Sequence, residues 1–210
     1  GKIGQPRLFH SIFTQDIAAD NSRLDGALAS SPLMDIGIYC VNAARYLFRA
    51  DPVEVSGFSV HGSDPKFRDV PEMVTASLRF PDDRLATFTC GFGEAPLSEY
   101  RVVGTAGNLL MKTGYTFRGD ITMQLTGKDG KTEETTFPER DQVGPEIAYF
   151  SDCVLSGKEP EPNGLEGLAD LVIIDAIEES CRSGRAVKLP PFAPKPRPSL
   201  AQEYKMSKLD

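Results

Sequence analysis

Short runs of branched and aromatic residues, many of them alternating with polar residues, lie between residues 6 and 137. A hydrophobic period of two is typical of β-strands, because successive side chains of a strand point to opposite faces of the sheet. Clusters of Gly, Pro, Asp and Thr separate most of these runs and predict turns. The predicted strands cover residues 6–13, 53–60, 73–80, 85–92, 100–103, 108–112, 121–126 and 132–137.

Three other segments follow a helical period. The first covers residues 32–48, with Ser31 placed to cap its N-terminus. The other two cover residues 147–155 and 164–183. On the last helix the pattern predicts an apolar face made of Leu165, Leu168, Leu171, Val172 and Ala176.

Strands that follow one another along the chain, instead of alternating with helices, indicate an α+β domain. We expect one large, mostly antiparallel sheet with helices on one face, made by residues 1–189 and followed by a proline-rich extended tail, 190–210. A Rossmann unit is not expected, because no G-x-G-x-x-G pattern follows a strand. The run Gly91-Phe92-Gly93 lacks both the third glycine and a helix after it.

The face of the sheet without helices is expected to serve for self-association. A mixed polar and apolar face of this kind suits a sheet-to-sheet contact between copies, so we expect a homodimer or a tetramer. Strands 73–80 and 85–92 alternate so that Val74, Ala76, Leu78, Leu85 and Cys90 point one way, and Met73, Thr75, Ser77 and Arg79 point the other.

Composition narrows the function classes. The formal net charge is -7 without a cluster of Lys and Arg, so nucleic acid is not an expected partner. No apolar run approaches the ~20 residues that cross a bilayer, so no membrane association is expected. The only histidines, His10 and His61, are too scattered for a metal site. The 4 cysteines lie far apart, which predicts buried free thiols and a reducing, cytoplasmic location.

The pattern that carries chemistry lies on the predicted helix 32–48. Asp35, Tyr39, Asn42 and Tyr46 are spaced i, i+4, i+7 and i+11, which places them on one narrow stripe of an α-helix. The rest of the helix is mostly apolar, so we expect it to be buried, and a polar stripe on a buried helix needs partners or a cavity. The stripe marks either an internal hydrogen-bond network or a ligand site. A purely structural role, with Asp35 at the helix N-terminus and Tyr39 packed, is the alternative.

The segment SPLMDIGIYCVNAARYLFRADPVEV closely resembles the corresponding region of glucose-fructose oxidoreductase and its relatives in the Gfo/Idh/MocA family. The likeness extends to GKIGQPRLFHSIFTQ, RVVGTAGNL and LPPFAPKPRPS, and so covers nearly the whole chain. It implies an open-faced C-terminal domain like that of glyceraldehyde-3-phosphate dehydrogenase, in which a helix with an Asp and, four residues on, a His or Tyr lines the sugar site. One departure is Ala29-Ser30-Ser31-Pro32, where the family has a glycine-rich approach to this helix.

Carried onto this sequence, the resemblance implies that Tyr39 is the catalytic acid/base, that Asp35 orients the substrate, and that Arg23 and Asn42 bind it. A solvated loop arginine is an equally good interpretation of Arg23. The implied cofactor is NAD or NADP, held by an N-terminal Rossmann domain that also carries the family's catalytic lysine. Because the chain starts Gly-Lys-Ile-Gly without an initiator methionine, we expect it to be a piece that lacks this domain and is inactive alone.

The resemblance therefore implies hydride transfer between NAD(P) and a sugar or related polyol. Tyrosine in place of histidine favours an aldose over an inositol. The alternative is a noncatalytic binding or assembly module of the same fold, and the presence of both Asp35 and Tyr39 argues against it.

Overall fold

The computed structural model describes residues 1–26 and 30–192 of the chain. The helices are α1 (Ile38–Phe48), α2 (Val143–Ser156) and α3 (Gly164–Ser183). The strands are β1 (Pro6–Asp16), β2 (Glu54–Val60), β3 (Met73–Phe80), β4 (Arg84–Gly91), β5 (Gly93–Gly104), β6 (Gly107–Lys112), β7 (Ile121–Gly127), β8 (Thr132–Phe137) and β9 (Val187–Lys188). All nine form one sheet in the order β8-β7-β6-β5-β1-β4-β3-β2-β9. The prediction of a large sheet with few helices is confirmed.

From β2 to β8, consecutive strands pair in antiparallel register except between β4 and β5. The first strand, β1, lies between β4 and β5 and pairs with β4 in parallel, with Phe9 opposite Ala86. Its other edge pairs with β5 in antiparallel register, with Phe9 opposite Val102. The strands β4 and β5 are therefore neighbours along the chain but not in the sheet. Short-range patterns reveal the strands but not the insertion of the first one between two later ones.

The helical segment begins differently from the prediction. Residues Leu33–Gly37 form a π-helical turn, and α-helical geometry starts only at Ile38. The predicted cap is confirmed, since the Ser31 hydroxyl accepts the Met34 N–H at 3.1 Å. A π-turn takes up one more residue than an α-turn. The phase of the helix therefore changes between its start and the segment that follows.

The face of the sheet under α1 and α3 carries the core. On β3, residues Val74, Ala76 and Leu78 are buried, and the residues between them are exposed, as predicted. The predicted position of Leu85 was wrong. It lies opposite the exposed Arg79 and is itself 52% exposed, because the β3–β4 register puts both side chains on the open face.

The buried side of α3 also differs from the prediction. Leu165, Leu168 and Leu171 are exposed, whereas Ala176 is buried as predicted, together with Ala169, Ile173, Ile174 and Ile177. One cause lies at Gly57 on β2, where an added Cβ would stand 3.1 Å from Ile177 Cγ2. This close approach fixes which side of α3 faces the sheet.

The cysteines are free, as predicted. Cys40, Cys90 and Cys153 are buried and Cys181 is half-buried. Among residues 1–26 and 30–192, no helix is long and apolar enough to cross a membrane. Most of the predicted tail, from residue 193 onward, lies outside the described residues.

Candidate active site

A cavity of about 430 Å³ opens beside α1, where the helix approaches β5 and the β6–β7 connection. This volume falls in the range of small-molecule pockets. Its lining combines aromatic rings with amide, carboxylate and hydroxyl groups, which suits a ligand that has both apolar and polar surfaces. The lining residues are Ile38, Tyr39, Asn42, Ala43, Tyr46, Tyr100, Gly114, Tyr115 and Asp170.

Tyr39 stands at the edge of this cavity. Its side chain is 51% exposed although it lies on the most buried helix segment. The ring packs edge-on against Phe13, with centroids 5.7 Å apart, and against Tyr115, with centroids 6.1 Å apart. Two aromatic neighbours thus support the ring, while half of the Tyr39 surface stays exposed.

A second tyrosine forms the floor of the cavity and is held in a different way. The Tyr115 hydroxyl lies 2.7 Å from Ser11 Oγ, and Ser11 in turn donates to the Glu99 carbonyl oxygen at 3.1 Å. Ser11 Oγ also lies 3.3 Å from Cys40 Sγ, and either hydroxyl can be the donor in the Ser11–Tyr115 bond. Burial, with Cys40 close by, raises the pKa of Tyr115 well above its ordinary value. Tyr115 therefore stays neutral and serves as a fixed aromatic surface.

Two more tyrosines complete the aromatic wall. Tyr100 stacks on the buried Phe9, with ring centroids 5.7 Å apart, and burial raises its pKa. Tyr46, two turns along α1 from Tyr39, is 41% exposed and has the Arg49 guanidinium 5.8 Å from its ring centroid. Among these four tyrosines, Tyr39 combines high exposure with a place at the mouth of the cavity.

The polar side of the cavity rests on a buried charge cluster. Arg45 is fully buried, and its guanidinium contacts Asp51 at 2.7 Å, Asp170 at 2.5 Å and Glu166 at 3.0 Å. Asn42 Nδ2 donates to the second oxygen of Asp170 at 3.0 Å. Burial raises the pKa of Asp170, while Arg45 opposes that effect. Asp170 thus joins the cluster inside the domain to the wall of the cavity.

The structure divides the predicted stripe. Tyr39, Asn42 and Tyr46 line the cavity, whereas Asp35 is not among the lining residues and forms an ion pair with Arg23, Nε to Oδ2 at 2.8 Å. The π-helical turn carries Asp35 and accounts for its separate position, because the residue spacing of an ideal α-helix does not apply there. The roles predicted for Asp35 and Arg23 stay predictions, now with the two residues as partners.

Sequence patterns missed three residues of the cavity wall. Tyr100, Tyr115 and Asp170 lie far along the chain from α1 and come together only in the folded sheet. The one signal for Asp170 is a carboxylate inside an apolar helical run, and a partner for it could not be identified without the structure. Another cavity of about 440 Å³ lies between α3 and residues 69–71 and contains none of the predicted site residues. The chemistry favours the tyrosine-lined cavity.

Comparisons with known proteins agree with this fold. The family model described as GFO/IDH/MocA C-terminal domain matches residues 1–110. A D-xylose 1-dehydrogenase [NADP(+)] of Haloarcula marismortui is 35% identical over 196 residues, which are 90% of this chain and 54% of that protein. The chain therefore spans about half the length of this relative.

Two solved structures are similar to the described domain. The aldose-aldose oxidoreductase from Caulobacter crescentus complexed with glycerol has a TM-score of 0.83 at 33% identity, covering 90% of this chain and 57% of that chain. A 3-ketoreductase from Actinomadura kijaniata in complex with NADP and TDP-benzene has a TM-score of 0.74 at 26% identity, covering 86% of this chain and 55% of that one.

Proposed function

Because the chain belongs to the Gfo/Idh/MocA family, we propose that it is the substrate-binding domain of an NAD(P)-dependent oxidoreductase that acts on an aldose or a related polyol. The observation that carries the proposal is Tyr39, which is half-exposed at the mouth of a tyrosine-lined cavity in a chain similar to a D-xylose dehydrogenase. The other half of the relatives' length would supply the nucleotide-binding domain.

Tyr39 is the proposed acid/base. In the oxidative direction it takes the proton of a sugar hydroxyl, and in the reductive direction it returns that proton. NAD or NADP, held by the nucleotide-binding domain, would accept or supply the hydride at the carbon that bears this hydroxyl. Tyr115 is unsuited to this role, because its hydroxyl is hydrogen-bonded to Ser11 and burial raises its pKa.

A phenol needs a nearby cation to act as a base at neutral pH, since it ordinarily ionises near pH ~10. In the described part of the chain, Arg45 is the arginine nearest to Tyr39 in sequence, but carboxylates in the interior bind its guanidinium. Arg23 forms an ion pair with Asp35. We therefore assign the activating cation to a lysine of the nucleotide-binding domain, as the family resemblance implies.

The described residues do not fit a dinucleotide. Within residues 1–26 and 30–192, no helix begins in a glycine-rich turn that follows a strand, which is the feature that holds dinucleotide phosphates. The chain by itself is accordingly expected to show no measurable affinity for NAD or NADP. Calorimetric titration that gave a stoichiometric complex would contradict this part of the proposal.

The proposed activity is tested with the full-length protein. It should reduce NADP or NAD in the presence of D-xylose or D-glucose, and turnover should be lower with myo-inositol. A folded full-length protein that turns over neither aldose with either cofactor would overturn the proposal and favour the noncatalytic module.

The open face of the sheet is the proposed surface for self-association. Leu8, Leu85 and Phe58 lie on this face and are 41%, 52% and 73% exposed. Apolar side chains set among threonines and charges suit a contact between two copies.

Sedimentation of this domain should find a dimer or a tetramer. Phe58→Asp should shift the protein toward monomer. The control Phe117→Asp, on the β6–β7 connection, should leave the oligomeric state unchanged. Monomer alone at tens of micromolar wild-type protein would contradict this.

A further inference from the structure

Asn42 and Asp170 form the one hydrogen-bonded pair of side chains in the cavity wall among the described residues. Asp170 is 4% exposed and lies on α3, whereas Asn42 is exposed on α1. Both oxygens of Asp170 accept hydrogen bonds, Oδ1 from Arg45 and Oδ2 from Asn42. Since an ionised carboxylate only accepts, Asn42 must turn its amide nitrogen toward Asp170.

This bond fixes which atom Asn42 has left for a ligand. An amide carries its donor and its acceptor on opposite branches of one plane, so turning the nitrogen toward α3 turns the carbonyl oxygen away from it. In the described part of the chain, Asn42 makes no second side-chain hydrogen bond. Its oxygen is therefore available to the cavity as a hydrogen-bond acceptor.

We infer that Asp170, held by Arg45, is a positioning residue for Asn42. It makes Asn42 present a hydrogen-bond acceptor to the substrate. The site therefore selects a sugar with a hydroxyl that donates a hydrogen bond at that point. This rests on the proposed function. The pair also explains why the Asp170 carboxylate is buried on α3: it accepts hydrogen bonds from two side chains of α1 that are three residues apart.

The isosteric substitution Asp170→Asn gives the sharpest test. A buried amide nitrogen cannot face Arg45, because two donors would then oppose each other, so the new amide must place its oxygen toward Arg45 and its nitrogen toward Asn42. Asn42 then has to flip and present its own nitrogen to the cavity. KM for the aldose should rise about 10-fold with kcat little changed, because one substrate hydroxyl meets a donor in place of an acceptor.

The double variant Asn42→Asp with Asp170→Asn should restore the wild-type arrangement with the roles exchanged. The nitrogen at position 170 then donates to the carboxylate at position 42, whose other oxygen again faces the cavity as an acceptor. KM should return to within about 3-fold of wild type. Glu166→Gln is the matched control: it contacts the same Arg45 from the same helix, but it does not line the cavity, so KM should stay unchanged.

Asn42→Leu, at an exposed position, tests the acceptor even if Asp170→Asn fails to fold, and it should raise KM about 10-fold as well.

Nuclear magnetic resonance determines the amide orientation without an activity assay. Contacts from the Asn42 side-chain NH2 protons to the Tyr39 or Tyr46 ring protons should be present in Asp170→Asn and absent in wild type. An unflipped amide in Asp170→Asn, or wild-type KM in both Asp170→Asn and Asn42→Leu, would overturn the inference. Loss of aldose turnover in the wild-type protein would instead count against the proposed function.

Discussion

The two halves of the sheet have similar sequence patterns but very different burial. In the inner half, β1 to β4 lie under α1 and α3, and α3 alone buries eight of its residues. In the outer half, no residue of β6, β7 or β8 is fully buried, every residue of β8 is exposed, and α2 buries only Cys153. An alternating pattern therefore predicts a strand in either half, and only the fold decides whether a helix covers it.

The candidate site lies at the boundary between these halves. Tyr39 and Asn42 come from α1 over the inner half, and Tyr115 and Gly114 come from the connection that follows β6. A packed region thus holds the proposed acid/base and the proposed substrate-binding side chain, and the less covered region forms the opposite wall of the cavity. This arrangement gives a rigid support for Tyr39 beside a surface that another domain or a ligand can still approach.

The largest expected contrast between the halves is in core packing. Phe88→Ala on β4, where the side chain is 1% exposed, should lower the free energy of unfolding by about 3 to 5 kcal/mol, because it leaves a cavity under the helices. The matched control is Phe117→Ala on the β6–β7 connection, 68% exposed, which should change it by about 0.5 kcal/mol or less. Urea unfolding measures both, and equal losses would show that the halves are packed alike.

A slightly smaller contrast in stability is expected between the loss of a buried cation and the loss of an exposed one. Arg45→Met leaves Asp51, Glu166 and Asp170 around a neutral side chain in the interior, so the free energy of unfolding should fall by about 3 kcal/mol. Lys131→Met removes an exposed ion pair of 3.7 Å with Asp129 and should cost about 0.5 kcal/mol or less. A small loss for Arg45→Met in thermal or urea unfolding would mean that the cluster is not needed to hold α1 against α3.

Local patterns predicted the strands and helices because period and turn residues are short-range signals. β3, β8 and α3 begin and end where the sequence placed them. The insertion of β1 and the rotation of α3 were not predictable in this way, since each depends on contacts between distant segments. The same holds for the site: Tyr39 was identified from α1 and the family resemblance, whereas Asp170 required the Arg45 contact to be seen.

The smallest expected effect concerns the inner thiols. Burial raises the pKa of Cys40 to about 11 and that of Cys90 well above its ordinary value. At pH ~8 only about a thousandth of Cys40 would be thiolate, so alkylation of the folded chain should be very slow at these two residues and rise as the pH passes the folded pKa. Mass spectrometry after timed alkylation measures this, with the half-buried Cys181 as the internal comparison. Rapid labelling of Cys40 would show that the inner half opens readily.

The most direct test of the account is Tyr39→Phe in the full-length protein, assayed for aldose oxidation across pH. The substitution keeps the ring that packs on Phe13 and Tyr115 but removes the hydroxyl that moves the proton. Turnover should fall about 100-fold or more while the unfolding temperature and the binding of the aldose change little. Near-normal turnover of Tyr39→Phe at every pH would contradict the assignment of Tyr39 as the acid/base.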